Sequence, residues 1–271
     1  MAKQVDIVAL GELLIDFTEA GQSKDGRRLF EQNPGGAPAN LLAAAAKFGR
    51  KTAFIGKVGK DMHGDFLKET LIRAGINTDN LIQDEKYFTT LAFVSLKENG
   101  EREFAFARKP GADTNLCMKE IDPEILENTR VFHVGSLSLT DDPSRTATYE
   151  AINIARNSGA VISYDPNYRA ALWSDPETAQ LRMQSLIPYV DMMKISDEET
   201  SLLTPYQDPE EAIQYLLRQG VHLVAVTLGR DGALIGNENG IIKAEGFSSH
   251  AVDTTGAGDS FWGGFLASYL Q

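Results

Sequence analysis

From Val131 to Thr227 the chain repeats one local pattern, a short apolar run followed by a longer segment with helical spacing. Val131–Val134 leads to Ser144–Asn157, Val161–Tyr164 to Glu177–Ile187, and Met192–Ile195 to Asp197–Leu203; His222–Thr227 then follows a helix at Glu210–Arg218. Runs that are apolar throughout predict strands covered on both faces. Strands that alternate with helices must run parallel, because each helix carries the chain back across the sheet. The first part of the chain starts the same way. Val5–Leu10 and Thr52–Val58 read as strands, and Ala37–Phe48 as a helix closed by Gly49. Asp61–Ala74 reads as an amphipathic helix with Phe66, Leu67 and Leu71 on one side, and Ala257–Leu270 as a last helix. The expectation is an α/β fold, a doubly wound and mostly parallel sheet, in one domain over residues 1–271.

One segment breaks the alternation. Thr90–Leu96 and Arg102–Ala107 flank Glu98-Asn99-Gly100-Glu101, and Asn-Gly supplies the positive φ that a tight hairpin turn needs. With Phe17–Phe30 it predicts a small antiparallel β lid, formed by about 12–33 and 87–109.

Composition narrows the partners. Of 271 residues 42% are hydrophobic, enough for a sizeable core, and the formal net charge of −12 argues against a nucleic acid or a membrane surface. An anionic small molecule stays open, since it feels the local field. Cys117 is the single cysteine, so no disulfide within the chain can form and a cytoplasmic setting fits. Val5–Phe17 is interrupted by Asp6, Glu12 and Asp16, which argues against a signal or membrane segment. His63, His133, His222 and His250 show no metal-ligand spacing and read as structural.

The segment richest in chemistry is Asp253-Thr254-Thr255-Gly256-Ala257-Gly258-Asp259, directly before the last helix. Small residues there bare the unpaired amides of a helix N-terminus, a site suited to a phosphate or a developing oxyanion. Asp259 at its mouth could take a proton from a hydroxyl, and it could equally be an N-cap acid after a glycine turn. Gly263 and Gly264 each cost a helix about 1 kcal/mol against alanine and point to close backbone packing. Gly35-Gly36-Ala37-Pro38-Ala39-Asn40 could let backbone approach a ligand or could be a plain turn. Asp16 stands just past the first strand, where α/β sheets bind ligands, though a surface acid would look the same. Further polar clusters end other strands: Thr227-Leu228-Gly229-Arg230-Asp231-Gly232, Lys194 with Glu199, and Asp165-Pro166-Asn167-Tyr168-Arg169. Neither G-x-x-x-x-G-K-[ST] nor a G-x-G-x-x-G opening the first helix is present, so P-loop and dinucleotide-oxidoreductase readings lose ground.

Gly35-Gly36…Asn40 and Asp253-Thr254-Thr255-Gly256-Ala257-Gly258-Asp259 together resemble the two signatures of the ribokinase-like (pfkB) carbohydrate kinases, in their order and separation. The resemblance runs from about Val5 to the last residue and implies an ATP- and Mg²⁺-dependent sugar kinase. It makes Asp259 the catalytic base and Gly256, Ala257 and Gly258 the anion hole. It assigns the sugar to Asp16, Gly35, Gly36 and Asn40, and the nucleotide to Lys194, Thr227, Gly229 and Gly232. Glu199 matches the acid of an N-x-x-E motif that organises Mg²⁺ through water, with Ser196 in place of the usual asparagine. Asp253 matches a monovalent-cation position, which would take K⁺. Phe104-Ala105-Phe106-Ala107-Arg108-Lys109-Pro110-Gly111-Ala112-Asp113 and Asp165-Pro166-Asn167-Tyr168-Arg169 look like fructokinase. The rival is a 2-keto-3-deoxygluconate kinase, in which Arg108 and Arg169 would face a carboxylate; with fructose the two arginines would instead bind the substrate side through hydroxyls or ATP phosphates. Other sugar or nucleoside kinases of the family follow. A module that binds a sugar or nucleoside without turning it over is the non-enzymatic alternative, and the Asp259 motif speaks against it. The resemblance also implies a homodimer through the lid.

Overall fold

The computed structural model describes residues 3–96, 102–248 and 254–271. Along the first part of the chain run β1 (Val5–Leu10), β2 (Leu14–Gln22), β3 (Arg28–Gly35), α1 (Ala37–Lys47) and β4 (Thr52–Gly59). Then come α2 (Met62–Arg73), β5 (Ile76–Asp84), β6 (Leu91–Leu96), β7 (Arg102–Ala107), α3 (Pro123–Glu127) and β8 (Thr129–Gly135). They are followed by α4 (Ser144–Asn157), β9 (Val161–Asp165), α5 (Pro176–Gln184), β10 (Met192–Ser196) and α6 (Thr200–Leu203). The last elements are α7 (Pro209–Arg218), β11 (Leu223–Thr227), β12 (Ala233–Asn237), β13 (Gly240–Ala244) and α8 (Ala257–Tyr269).

β1 lies inside a sheet of order β13-β12-β11-β10-β9-β8-β1-β4-β5 and pairs in parallel with both β4 and β8. Its residues serve both layers alternately. Val8 and Leu10 join the core beneath α4, α5 and α7, while Ile7 and Ala9 join the core beneath α1, α2 and α8. That is the doubly wound arrangement expected from unbroken apolar runs. Only β12 and β13, at one edge, pair antiparallel.

Local chemistry sets the helix starts. Asp122-Pro123, Asp175-Pro176 and Asp208-Pro209 each place an N-cap carboxylate before a proline in the first turn. The helices expected from Glu177 and Glu210 therefore begin one residue earlier. The helix expected through Ile187 stops at Gln184 and gives way to a 3₁₀ turn at Ile187–Tyr189. Pro188 cannot donate to the carbonyl four residues back. The helix expected over Asp197–Leu203 opens as a 3₁₀ turn, Asp197–Glu199, before α6.

The second sheet has the order β3-β2-β6-β7. Each hairpin in it is antiparallel, and the two hairpins join through a parallel pairing of β2 with β6. Phe17 stacks on Phe93 with ring centroids 5.2 Å apart, and Phe30 meets Phe93 edge-on at 5.9 Å. The turn read at Asn99-Gly100 lies outside the described residues. Among the described residues no helix is long and apolar enough to cross a membrane.

Candidate active site

The carboxyl ends of β1, β8, β9, β10 and β11 open on one side of the large sheet, and the first turn of α8 lies against them. Gly256 precedes the helix in the left-handed region, with φ 72°, a conformation that glycine adopts without strain. The Ala257 amide turns back to the Thr254 carbonyl at 3.2 Å. The Ser260 amide bonds to the Gly256 carbonyl at 2.9 Å, so the first amides of α8 lie where intrahelical carbonyls run out. A side chain at Gly256 would stand 3.2 Å from Asn40 Nδ2, and one at Gly258 would stand 2.9 Å from Lys194 Nζ. The backbone is bare where a phosphoryl group would need it.

Asp259 sits in that first turn, 7% exposed. Asn40 Nδ2 donates to its Oδ2 at 2.9 Å and Asn167 Nδ2 donates to its Oδ1 at 3.1 Å. Burial pushes its carboxyl up to about 6, and the neighbouring Asp165 charge adds to the rise. The Asn40 hydrogen bond, Lys194 and Arg169 pull the other way without cancelling it. A carboxylate with two fixed amides, a free lone pair on each oxygen and a pKa near neutrality can accept a proton at working pH. Asn40 reaches it because α1 and α8 pack backbone to backbone. A Cβ on Gly263 would collide with the Leu41 carbonyl, which is the close approach expected of the glycine pair.

Behind Asp259 lies a charged platform. Lys194, in the middle of β10, donates to Asp165 Oδ2 at 3.0 Å, and both are buried. Burial works against the lysine's charge, yet the carboxylates of Asp165, Glu199 and Asp259 outweigh it and hold the ammonium above its ordinary pKa. Asp165 Oδ1 accepts from the Asn167 amide at 3.2 Å, and Asn167 has φ 45°, a left-handed turn that aims its side chain at Asp259. Glu199 accepts from the Tyr168 amide at 2.8 Å and from the Ser196 amide and hydroxyl at 2.8 and 3.0 Å. Its carboxylate therefore ties the Asp165–Arg169 loop to the end of β10.

On the lid side, the Asp16 carboxylate lies over Gly35, diagonal to it across the β2–β3 pair, since a Cβ at Gly35 would collide with it. Burial raises the Asp16 carboxyl above its ordinary range, against the pull of Arg169. Gly36, with φ 123°, has room only because it lacks a side chain that would strike the Glu12 carbonyl. Arg108 is tied into the fold by three of its nitrogens. Its Nε donates to Asp113 at 2.8 Å, its Nη1 to the Thr140 hydroxyl at 3.0 Å and its Nη2 to the Leu137 carbonyl at 2.8 Å. It is 3% exposed, and a buried guanidinium needs those partners.

The loop after β11 carries Thr227, Gly229 and Gly232. The Thr227 hydroxyl donates to the Ile195 carbonyl at 3.3 Å, joining β11 to β10. Gly229 and Gly232 have φ of 57° and 96°. A Cβ at Gly232 would collide with the Ala244 carbonyl, so this glycine serves a backbone crossing within the chain.

Among the described residues no three His, Cys, Asp or Glu side chains gather to hold a metal ion. Glu199, with most of its lone pairs engaged, suits a water-mediated contact to a nucleotide-borne Mg²⁺ and not direct ligation. Asp253 and His250 lie outside the described residues. His133 is buried beside Ser163 at 3.0 Å and pushed down to about 3 by burial and then by Lys194, which keeps it a neutral structural group. Sequence reasoning left three members of the site without a role. Asp165 and Asn167 were visible as a polar cluster at a strand end. Glu12, which accepts the Ala37 amide at 2.9 Å, comes two residues after β1, and burial pushes its carboxyl up to about 7.

The model of the pfkB family carbohydrate kinases matches residues 4–271. Fructokinase-2 of Oryza sativa subsp. japonica is 40% identical over 268 residues, covering 98% of this chain and 80% of its own. The crystal structure of a fructokinase from Xylella fastidiosa with bound ATP superposes with a TM-score of 0.90 at 33% identity, covering 98% of this chain and 81% of that one. An E. coli protein assigned as a ribokinase II, in complex with ATP and Mg²⁺, superposes with a TM-score of 0.89 at 30% identity, covering 98% and 86%.

Proposed function

This chain belongs to the pfkB family of carbohydrate kinases, and we propose that within it the chain transfers the γ-phosphoryl group of ATP to the 6-hydroxyl of D-fructose. The observation that carries the reading is Asp259, buried at the bare N-terminus of α8 with its pKa raised to about 6.

The steps follow from the residues. Asp16, Gly35, Gly36, Asn40 and Arg169 hold the sugar with its primary hydroxyl toward Asp259. Asp259 takes the hydroxyl proton as the O6–Pγ bond forms and the bond from Pγ to the β-bridging oxygen breaks, releasing ADP. The turn at Gly256, Ala257 and Gly258, held by the Ala257 amide on the Thr254 carbonyl, and the Lys194 ammonium face the negative charge on the transferring group. Thr227, Gly229 and Gly232 border the nucleotide. Glu199 would hold a nucleotide-borne Mg²⁺ through water, and that ion would supply neutralisation of phosphate charge. Asp253 is the candidate contact for K⁺.

The second sheet acts as a lid that excludes water from the phosphoryl group. Its half-exposed Phe30 and Phe93, at 39% and 37%, suit pairing with a second copy. Light scattering at micromolar concentration would show a dimer; a strict monomer removes that part.

Fructose is preferred over 2-keto-3-deoxygluconate because a sugar acid needs two arginines on its carboxylate, and Arg108 is committed to Asp113. The test is a coupled ADP-release screen of fructose, 2-keto-3-deoxygluconate, ribose and adenosine with Mg-ATP. Fructose should give the highest kcat/KM. A higher value for the sugar acid overturns the substrate, and no release with any of them overturns the kinase reading.

A further inference from the structure

We propose that Asp113 is a positioning residue that clamps both legs of the β6–β7 hairpin and, through Thr90, sets the place of Asp16 in the active site; the proposal deepens the sugar-kinase reading and rests on it. The hairpin leaves and rejoins the rest of the molecule at Thr90 and Arg108, the residues directly before β6 and directly after β7. One carboxylate holds both. Asp113 Oδ1 accepts the Thr90 hydroxyl at 2.6 Å, and Oδ2 accepts Arg108 Nε at 2.8 Å. All three residues are buried, at 1% exposure for Thr90, 3% for Arg108 and 6% for Asp113.

The connection continues to the sugar side. The Thr90 carbonyl accepts the Ile15 amide at 3.1 Å, and Ile15 directly precedes Asp16 on β2. Arg108 extends the clamp to the Leu137 carbonyl and the Thr140 hydroxyl, in the loop that follows β8 at the open end of the sheet. Gly111 passes beneath with no room for a side chain, which would collide with the Thr90 hydroxyl and stand 2.7 Å from Asp113 Oδ1. The entering leg has a second post. Thr89 donates through its amide and hydroxyl to Asp61, at 2.9 and 2.8 Å, and Asp61 also caps α2. Thr89 thus fixes the leg to α2, and Thr90 fixes it to the returning leg.

A hairpin tied at both ends to one carboxylate tilts as a unit. Its tilt and the position of Asp16 are then a single variable. Buried charge-assisted hydrogen bonds enforce such geometry because every alternative leaves a charge without partners. The clamp therefore acts on the sugar and leaves the nucleotide side untouched.

The test compares Thr90→Val, which keeps the shape and removes the hydroxyl, with Thr90→Ser, which keeps the hydroxyl. Thr90→Val should speed amide exchange in Leu91–Leu96 and Arg102–Ala107 and raise the fructose KM, each about ten-fold or more, with the ATP KM changed by less than about two-fold. Thr90→Ser should match the wild type in all three. Asp113→Asn should reproduce the Thr90→Val pattern; should it fail to fold, the threonine pair decides alone. The clamp is overturned if Thr90→Val leaves hairpin exchange as in the wild type, or speeds β1 and β8 equally. Should the wild type not turn over fructose, the proposed function falls, and the exchange comparison still upholds or rejects the clamp by itself.

Discussion

Asn40 Nδ2 donates to Asp259 Oδ2 across 2.9 Å, joining residues 219 positions apart in the chain. The bond exists because α1 and α8 touch along Gly263, and it places the amide of one family signature on the carboxylate of the other. The Asp259 pKa and the helix packing thus meet in one hydrogen bond, at a residue proposed to hold the sugar.

Asp259→Asn removes the proton acceptor while keeping the shape; its one amide oxygen accepts from Asn40 or Asn167, and the other partner must turn its own amide over to accept from the new NH2. General-base help is worth ~10²–10⁴-fold. The expected outcome is a kcat lower by at least about 10²-fold with ATP binding retained, measured by steady-state kinetics and nucleotide titration. Near-normal turnover would reject Asp259 as the base.

The same substitution should stabilise the fold. Asp259 has a folded pKa of about 6 against an ordinary 3.8, so its charged form is disfavoured in the folded state. In the wild type this group's contribution is fully present below the unfolded pKa and is lost as pH rises from near 4 to near 6. Asp259→Asn should therefore be more stable than wild type by about 2–3 kcal/mol at pH 7.5, with the gap closing toward pH 4. Urea unfolding at the two pH values measures it, and a less stable variant at pH 7.5 contradicts the burial account.

Asn40→Ala withdraws a hydrogen bond that favours the ionised carboxylate. The Asp259 pKa should rise further, and the acid limb of kcat should move toward alkaline pH by roughly half a unit or more. A limb that stays put, or moves to lower pH, would show that another group governs it.

Gly263 and Gly264 should respond in opposite ways to alanine. Alanine at 263 meets the Leu41 carbonyl and should cost about 1–3 kcal/mol, with kcat falling as α8 shifts Asp259. At 264 the new Cβ would stand 3.3 Å from the exposed ring of Phe48, which can yield, and the helix gains up to about 1 kcal/mol. Thermal unfolding and turnover of both variants separate the two positions.

Strands at the sheet's centre were legible because they are apolar on both faces, as in β1 and β4. β5 was not, since Asn77, Asp79 and Asn80 give it the composition of a loop, and it forms as an edge strand paired only with β4. β12 and β13 were hidden in the same way by Asn237-Glu238-Asn239-Gly240 between them. Arg108 was legible as important, but its burial was not, because it depends on Asp113 and on Leu137 with Thr140 converging from two segments.

Periodicity, capping residues and two short contiguous motifs determined the doubly wound sheet, the helix positions and the family, all of them properties of near neighbours in the chain. Tertiary structure alone decided that Asn40 and Asn167 converge on Asp259, that Lys194 pairs with Asp165, and that Arg108 belongs to the lid's base. Hydrogen bonding and desolvation depend on which groups exclude water from one another, and in a folded chain those groups come from distant segments.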